Sequence, residues 1–145
     1  MKSNDLHNNM RALRVISPVA IGANATKSGV VIDRLGYGGV EFIASYGAVT
    51  TTGTVCTVVV KEGDATGSMT SVADADLLGT EALASLLAAT PRTSGTTKNV
   101  SKRIGYVGGK RYVTVDVVQT GVTSVGCVSV SAALFNPSVA PTSNP

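Results

Sequence analysis

Apolar and polar residues alternate over short stretches of this chain, and such a period of two is typical of β-strands with one buried side. In residues 40–46 the alternation predicts an outer face with Glu41 and Ser45. The predicted buried face carries Val40, Phe42, Ala44 and Tyr46. Residues 55–61 contain a continuous apolar stretch, which favours a central position in a sheet.

Several weaker signals place further strands and turns. Residues 13–17 predict a short strand that Pro18 ends at a sheet edge, because proline cannot donate a hydrogen bond to a neighbouring strand. Residues 30–32 form a second apolar run, and the glycines around Tyr37 predict a turn. Residues 63–70 are small and polar and predict a loop, whereas residues 125–135 predict a long last strand.

A Gly-Gly pair separates two alternating runs near residue 108. Gly108 and Gly109 can both adopt positive φ, so the pair predicts a two-residue hairpin between residues 103–107 and 110–118. The second run predicts a buried face with Val113, Val115 and Val117 and an outer face with Tyr112, Thr114 and Asp116.

Residues 81–87 contain good helix formers and predict one or two helical turns, with Thr80 as a cap. Leu83, Leu86 and Leu87 would pack on one side of this short helix, and an irregular strand is the alternative. Seven or eight strands with at most one short helix predict an all-β, jelly-roll-like antiparallel sandwich, while other sandwiches or a small barrel remain open.

The 145 residues suit one β domain. A polar lead-in covers residues 1–12, and an extended tail covers residues 136–145. The tail holds three of the five prolines and no charge, so we expect it to gain order only against a partner.

Composition narrows the classes of partner. Only 14% of the residues are charged, against roughly a quarter in an average protein, so much of the surface is expected to be covered by protein. We therefore expect a homodimer or a homotrimer. Aromatic residues make up 4% and the net charge is +3, which argues against nucleic acid as a direct partner.

Neither a membrane nor export by a secretory signal is expected. No apolar run reaches the roughly 18 residues that cross a bilayer. The polar first ten residues lack the apolar region of a secretory signal, so we expect the protein to be made and assembled in the cytoplasm.

The chain offers little for catalysis or metal binding. His7, the single histidine, lies in the polar lead-in, and Cys56 and Cys127 each lie in a strand-like run and are expected to be free and buried. The acids Asp74, Asp76 and Glu81 do not match a calcium-loop spacing, which favours caps or solvated side chains. The sequence therefore predicts no enzyme, no cofactor and no metal.

Basic residues are concentrated in one window. No acid lies between Glu81 and Asp116, whereas six cations do: Arg92, Lys98, Lys102, Arg103, Lys110 and Arg111. Such cations are either solvated strand ends or a patch that docks on an acidic protein surface. Together with Asn136 and Pro137 in the tail, they are the predicted partner contacts.

Two segments resemble small virion proteins of tailed bacteriophages. They are residues 74–82, Asp-Ala-Asp-Leu-Leu-Gly-Thr-Glu-Ala, and the more specific residues 102–113, Lys-Arg-Ile-Gly-Tyr-Val-Gly-Gly-Lys-Arg-Tyr-Val. The resemblance extends over about residues 13–135, and the nearest analogue is the jelly-roll cement protein of Bordetella phages. The tail departs from it, since Phe135-Asn136-Pro137-Ser138 stands where a histidine-containing ending is expected.

The resemblance implies a cement, or decoration, protein. Such a protein binds the major capsid protein on the outside of the capsid as an oligomer and stabilises the shell. A head–tail connector or a tail component of a tailed phage is the alternative, because it would share the composition.

Overall fold

The computed structural model describes residues 5–48, 53–87, 99–122 and 126–143. Two 3₁₀ turns, His7–Asn9 and Asp74–Asp76, and one helical turn, α1 at Glu81–Ala84, accompany the strands. The strands are β1 (Met10–Ile21), β2 (Ala25–Ser28), β3 (Ile32–Asp33), β4 (Tyr37–Tyr46), β5 (Val55–Ala65), β6 (Ser68–Ser71), β7 (Leu77–Leu78), β8 (Leu86–Leu87), β9 (Val100–Tyr106), β10 (Tyr112–Thr120) and β11 (Gly126–Pro137).

The strands form two antiparallel sheets. The first has the order β1-β11-β4-β9-β7, and the second has the order β2-β10-β5-β6 with β3 beside β10 and β8 beside β5. The pairs β1·β11, β2·β10, β4·β9 and β5·β8 are nested in sequence, which is the wrapping of a jelly roll. The expected all-β sandwich is therefore confirmed.

The core lies between the inner faces of the two sheets. Val40, Phe42, Ala44 and Tyr46 are buried as predicted, and so are Val113, Val115 and Val117 on β10. β5 pairs with β10 on one side and with β6 and β8 on the other, so its central position is also confirmed.

Two local predictions are wrong, and a third, the turn around Tyr37, is right for Gly36 alone. β1 lies at the sheet edge as expected but continues past Pro18, because register shifts on either side of Ile16 accommodate the proline in a bulge. Residues 63–70 are not a loop, since β5 and β6 pair across them as a hairpin. Gly38 and Gly39 lie inside β4, and only Gly36 of this group has a positive φ, of 85°.

The Gly108-Gly109 pair does not form a hairpin. β9 pairs with β4 and β7 in the first sheet, whereas β10 pairs with β5 in the second, so the connection crosses from one sheet to the other. The ring of Tyr106 lies against Gly108, where an added Cβ would be 2.6 Å from the phenol oxygen. The glycine is needed for this close approach and not for a tight hairpin.

The outer face of β10 is buried as well, contrary to expectation. Thr114 and Asp116 are 5% and 6% exposed. The Thr114 hydroxyl donates to the carbonyls of Gly29 and Val30, at 3.0 and 3.2 Å, because the segment between β2 and β3 crosses this face.

The predicted helix is a single turn. The Thr80 hydroxyl accepts the Leu83 N–H at 3.2 Å, so the expected cap is present. Leu86 is buried, but Leu83 is 70% exposed because the helix ends at Ala84, before a second turn can bring both leucines to one face.

Both ends of the described chain contact each other. Residues 10–12 of the expected polar lead-in belong to β1, and Asn136 and Pro137 belong to β11. The Thr142 N–H donates to the Asn8 carbonyl at 2.9 Å. The tail thus has order from its own chain, because unpaired carbonyls beside β1 accept its donors.

The two cysteines are free, as predicted. Cys56 is buried, but Cys127 is exposed, because it points away from the core on β11. The predicted burial of Cys127 is therefore wrong.

Candidate interaction surfaces

The predicted contact residues separate into two groups. Arg92 and Lys98 lie outside the described residues. Lys102 and Arg103 lie on β9 of the first sheet, while four others lie at one end of the sandwich. These four are Lys110, Arg111, Asn136 and Pro137.

The first surface, here called the first-sheet face, is the outer side of β1, β11, β4 and β9. The strand register aligns one row across it: Arg14 opposes Ser131, Ser131 opposes Ile43, and Ile43 opposes Arg103. Ile43 is 39% exposed at the centre of this row. Two exposed arginines therefore flank an exposed apolar side chain.

Small side chains surround this row and make the face flat. The adjacent outward rows are Ala12, Ala133, Glu41 and Gly105 on one side and Ser129, Ser45 and Ser101 on the other, so Glu41 is the single long side chain in them. At the β7 edge, Leu78 is 50% exposed beside Gly105. The side chains of Glu41 and Leu78 cover Gly105, so the flattest part of the face is the serine and alanine positions.

The face carries a net positive charge. In these outward rows Arg14 and Arg103 are opposed by one acidic residue, Glu41. The Glu41 carboxylate lies 3.7 Å from the Arg103 Nε. Partial burial raises the pKa of Glu41, while Arg103 opposes that rise. Lys102 does not contribute to the face, because its ammonium turns back and donates to the Ser85 carbonyl at 2.7 Å.

The second surface, here called the Arg34 end, is the end of the sandwich where β4 and β10 begin. Arg34 organises it by donating to the carbonyls of Lys110 at 2.5 Å, Tyr37 at 3.2 Å and Gly108. Its guanidinium carbon lies 5.3 Å from the ring centroid of Tyr106. Arg34 is not among the contact residues predicted from the sequence, where its only signal is an arginine shortly before the glycine-containing turn.

The cations of this end have acidic partners from distant strands. The Lys110 ammonium lies 2.5 Å from Asp64, and the Arg111 guanidinium donates to Asp33 at 2.7 and 3.0 Å. Hydrogen bonds from Arg111 hold the pKa of Asp33 below its usual value. The positive charge of Lys110 and Arg111 is therefore neutralised in the folded chain, because β3 and β5 supply the carboxylates.

Asn136 and Pro137 meet the same end. Pro137 pairs with Tyr37, and the Ser138 N–H donates to the Gly36 carbonyl at 2.8 Å. The shallow groove between them has a volume of about 420 Å³. The turn at residues 34–37 thus contacts both the loop that carries Lys110 and Arg111 and the beginning of the tail.

Of the acids in residues 74–82, only Glu81 has a side-chain hydrogen bond among the described residues. Asp74 and Asp76 lie in a 3₁₀ turn, and the Glu81 carboxylate accepts the Val60 N–H at 2.6 Å. Within the described residues, no three histidine, cysteine or acidic side chains are grouped as metal ligands. In the same part of the chain, no helix combines the length and apolarity that a membrane span requires.

Comparison with solved structures identifies a shared fold. No family model and no curated protein matches this chain. The crystal structure of the PBSX exported protein XepA matches 99% of this chain with a TM-score of 0.55 and 14% identity. The chain spans 43% of the length of XepA. At this identity the likeness shows the fold alone.

A second structure comes from Bacillus endospore appendages, described as disulfide-linked pili. It covers 94% of this chain and 98% of its own, with 14% identity and a TM-score of 0.41. A score of this size carries no structural argument.

Proposed function

We propose that this chain is a structural, non-catalytic virion protein that binds the outer surface of a tailed-phage capsid and stabilises the shell. The resemblance of residues 74–82 and 102–113 to small phage virion proteins supports this role. The β-sandwich that the chain shares with the PBSX exported protein XepA is compatible with it. The observation that carries the proposal is the flat first-sheet face with the row Arg14, Ser131, Ile43 and Arg103.

The size of this face suits repeated weak docking. Four strands about 4.8 Å apart, with about nine residues each at about 3.3 Å per residue, give roughly 570 Å². A standard interface buries about 800 Å² on each partner, so a single contact on this face is weak. Copies bound across a capsid lattice gain avidity, which converts weak contacts into stable decoration.

The partner on the shell is proposed to be acidic. Arg14 and Arg103 place positive charge on either side of Ile43, and both side chains are exposed. Arg14 uses one N–H for the Ser17 hydroxyl, and Arg103 lies 3.7 Å from the Glu41 carboxylate. Arginine binds carboxylates in a bidentate manner, so acidic side chains of the major capsid protein are suitable ligands.

The test is decoration of expanded heads that lack the protein. Ile43→Asp places a carboxylate in the centre of the row and is expected to weaken head binding by at least about tenfold, since a like charge meets the acidic shell. Leu83→Asp is the matched control, because Leu83 is 70% exposed on α1 and lies outside the face. Equal binding by wild type and both variants, at low and high salt, would refute docking through this face.

The predicted basic and tail contacts are tested in the same assay. Lys102→Ser with Arg103→Ser is expected to weaken binding through Arg103, because Lys102 faces Ser85. A chain that ends at Pro137 keeps β11 complete and removes the rest of the tail. If this shortened chain decorates heads with wild-type affinity, the tail is not a docking element.

A head–tail connector or a tail component is the second candidate, because the fold and the charge suit it equally. The number of copies per virion separates the two. A number close to that of the major capsid protein supports cement, whereas a small fixed number at one vertex supports a connector.

A further inference from the structure

The loop after β9 connects Arg34 to the acidic 3₁₀ turn through its backbone. The Val107 N–H donates to the Asp76 carbonyl at 2.9 Å, and the next carbonyl, of Gly108, accepts from Arg34. Two consecutive residues of one loop therefore contact the acidic 3₁₀ turn on one side and the guanidinium on the other.

The charges that are free to meet a partner can be identified at this end. Asp33 and Asp64 are paired with Arg111 and Lys110. Arg34 binds carbonyls and no carboxylate among the described residues, and Asp74 and Asp76 form no ion pair there. A guanidinium has five N–H donors, and Arg34 uses three for these bonds, so two remain for a ligand.

Large apolar side chains are exposed at the same end. Leu35 is 69% exposed beside Arg34, Val107 is 42% exposed beside the acidic turn, and Val139 is 78% exposed after Ser138. Exposed apolar residues among charged ones are typical of protein interfaces.

We propose that the Arg34 end binds a second copy of this chain in a two-fold dimer. Around a two-fold axis, the same patch meets itself, so a cationic side next to an anionic side is self-complementary. Arg34 of each copy then faces Asp74 and Asp76 of the other, and Leu35 packs near Val107.

A second copy fits this end better than an acidic shell does. The cations Lys110 and Arg111 are already neutralised. Among the described residues of this end, the charged groups without an ion pair are Arg34, Asp74, Asp76 and Glu62, whose carboxylate accepts the Tyr106 hydroxyl. An acidic partner would be repelled by Asp74 and Asp76, whereas a second copy offers the opposite sign at each position.

The test is a charge exchange at exposed positions, measured by sedimentation at micromolar concentration. Leu35→Asp places a carboxylate against the acidic turn of the partner, and Asp74→Lys with Asp76→Lys places cations against Arg34. Each change is expected to weaken dimerisation by at least about tenfold through like-charge contact. Leu83→Asp, at an equally exposed leucine, is expected to leave the dimer intact.

Mixing the two variants gives the decisive measurement. In a mixed dimer the new aspartate meets the new lysines, and the second contact is native, so the mixture is expected to form heterodimers that neither variant forms alone. Circular dichroism verifies that each variant folds, and Asp74→Asn with Asp76→Asn is a milder second variant for the acidic side.

Three results would overturn the dimer at this end. They are a wild-type monomer or trimer at micromolar concentration, a dimer that neither variant weakens, and variants that fail to pair in the mixture. The proposal does not depend on capsid docking, because Ile43→Asp lies on the first-sheet face and is expected to leave the dimer unchanged.

Discussion

The Asp116 carboxylate lies 2.6 Å from the Lys61 ammonium on the outer side of the second sheet, and 9% of the Asp116 side chain is exposed. This ion pair is more buried than an ordinary surface pair, because the neighbouring strands and the segment before β3 surround it. Removing Lys61 therefore leaves the Asp116 carboxylate with little access to water.

We predict that Lys61→Met lowers the free energy of unfolding by about 3 kcal/mol, since Asp116 is left without a counter-ion. The double variant Lys61→Met with Asp116→Leu is expected to be close to wild type in stability, because no unpaired charge remains. Urea unfolding of the three proteins measures both effects. A double variant as unstable as Lys61→Met would contradict this explanation.

A second prediction concerns the two faces of β10. Val115→Asp is expected to prevent folding, because Val115 is fully buried between the sheets. Thr114→Asp is expected to be nearly as damaging, since its carboxylate would oppose the carbonyls of Gly29 and Val30.

The matched control is Thr120→Asp, on the same face of the same strand but exposed. We expect its unfolding midpoint to stay close to that of wild type. A Thr114→Asp protein that folds as well as the Thr120→Asp protein would mean that the segment before β3 moves away easily.

The two thiols are expected to differ in reactivity. Cys127 is exposed and should react with a thiol reagent in the native protein, whereas Cys56 is buried and should react only after denaturation. Burial also raises the pKa of Cys56 from 9.0 to about 11, which keeps it in the unreactive thiol form. Cys127→Ser is expected to abolish native labelling, and fast labelling of that variant would contradict the buried position of Cys56.

Alkaline solution is expected to destabilise the fold. Burial, with a further effect of the hydrogen bond to Glu62, raises the pKa of Tyr106 from 10.0 to about 12. For Cys56 and Tyr106 alike, the folded chain holds its proton above the pH at which the unfolded chain loses it, so stability decreases as the pH rises from about 9 towards 12.

Urea midpoints between pH 8 and pH 11 measure this dependence. Cys56→Ala is expected to be less stable at neutral pH because of the cavity, yet to lose less stability over the alkaline range. Identical slopes for wild type and variant would show that Cys56 does not contribute.

The cap of α1 gives a further prediction. Thr80→Ala removes the hydroxyl that accepts the Leu83 N–H and is expected to cost about 1 kcal/mol. Ser85→Ala should cost more, because the Ser85 hydroxyl accepts the buried Val58 N–H at 2.8 Å and donates to the Glu81 carbonyl at 2.6 Å. Thermal unfolding compares the two, and a larger loss for Thr80→Ala would contradict this order.

The amino-acid sequence was sufficient to predict the sandwich and much of its core. Alternation of period two depends only on which side chains avoid water, so the buried faces around Phe42 and Val115 followed from local pattern. The cap at Thr80 was equally local, because it needs only a hydroxyl three residues before the amide that it binds.

The tertiary structure decided which strands pair. Several residues therefore have structural roles that differ from those their local sequence predicts. Gly108-Gly109 suits a hairpin, but Tyr112–Thr120 pairs with Val55–Ala65, so the glycines connect two sheets instead. Burial of Thr114 likewise depends on a segment more than eighty residues earlier in the chain, which a local pattern does not specify.

Charge pairing was also decided in three dimensions. The basic window from Arg92 to Arg111 contains no acid, but Asp33 and Asp64 reach Arg111 and Lys110 from other strands. Sequence distance does not limit a Coulomb interaction, whereas spatial distance does, so only the folded chain shows which charges remain for a partner. By that criterion Arg14, Arg34 and Asp74 gain importance, although only Asp74 lies in a segment that the sequence pattern marks.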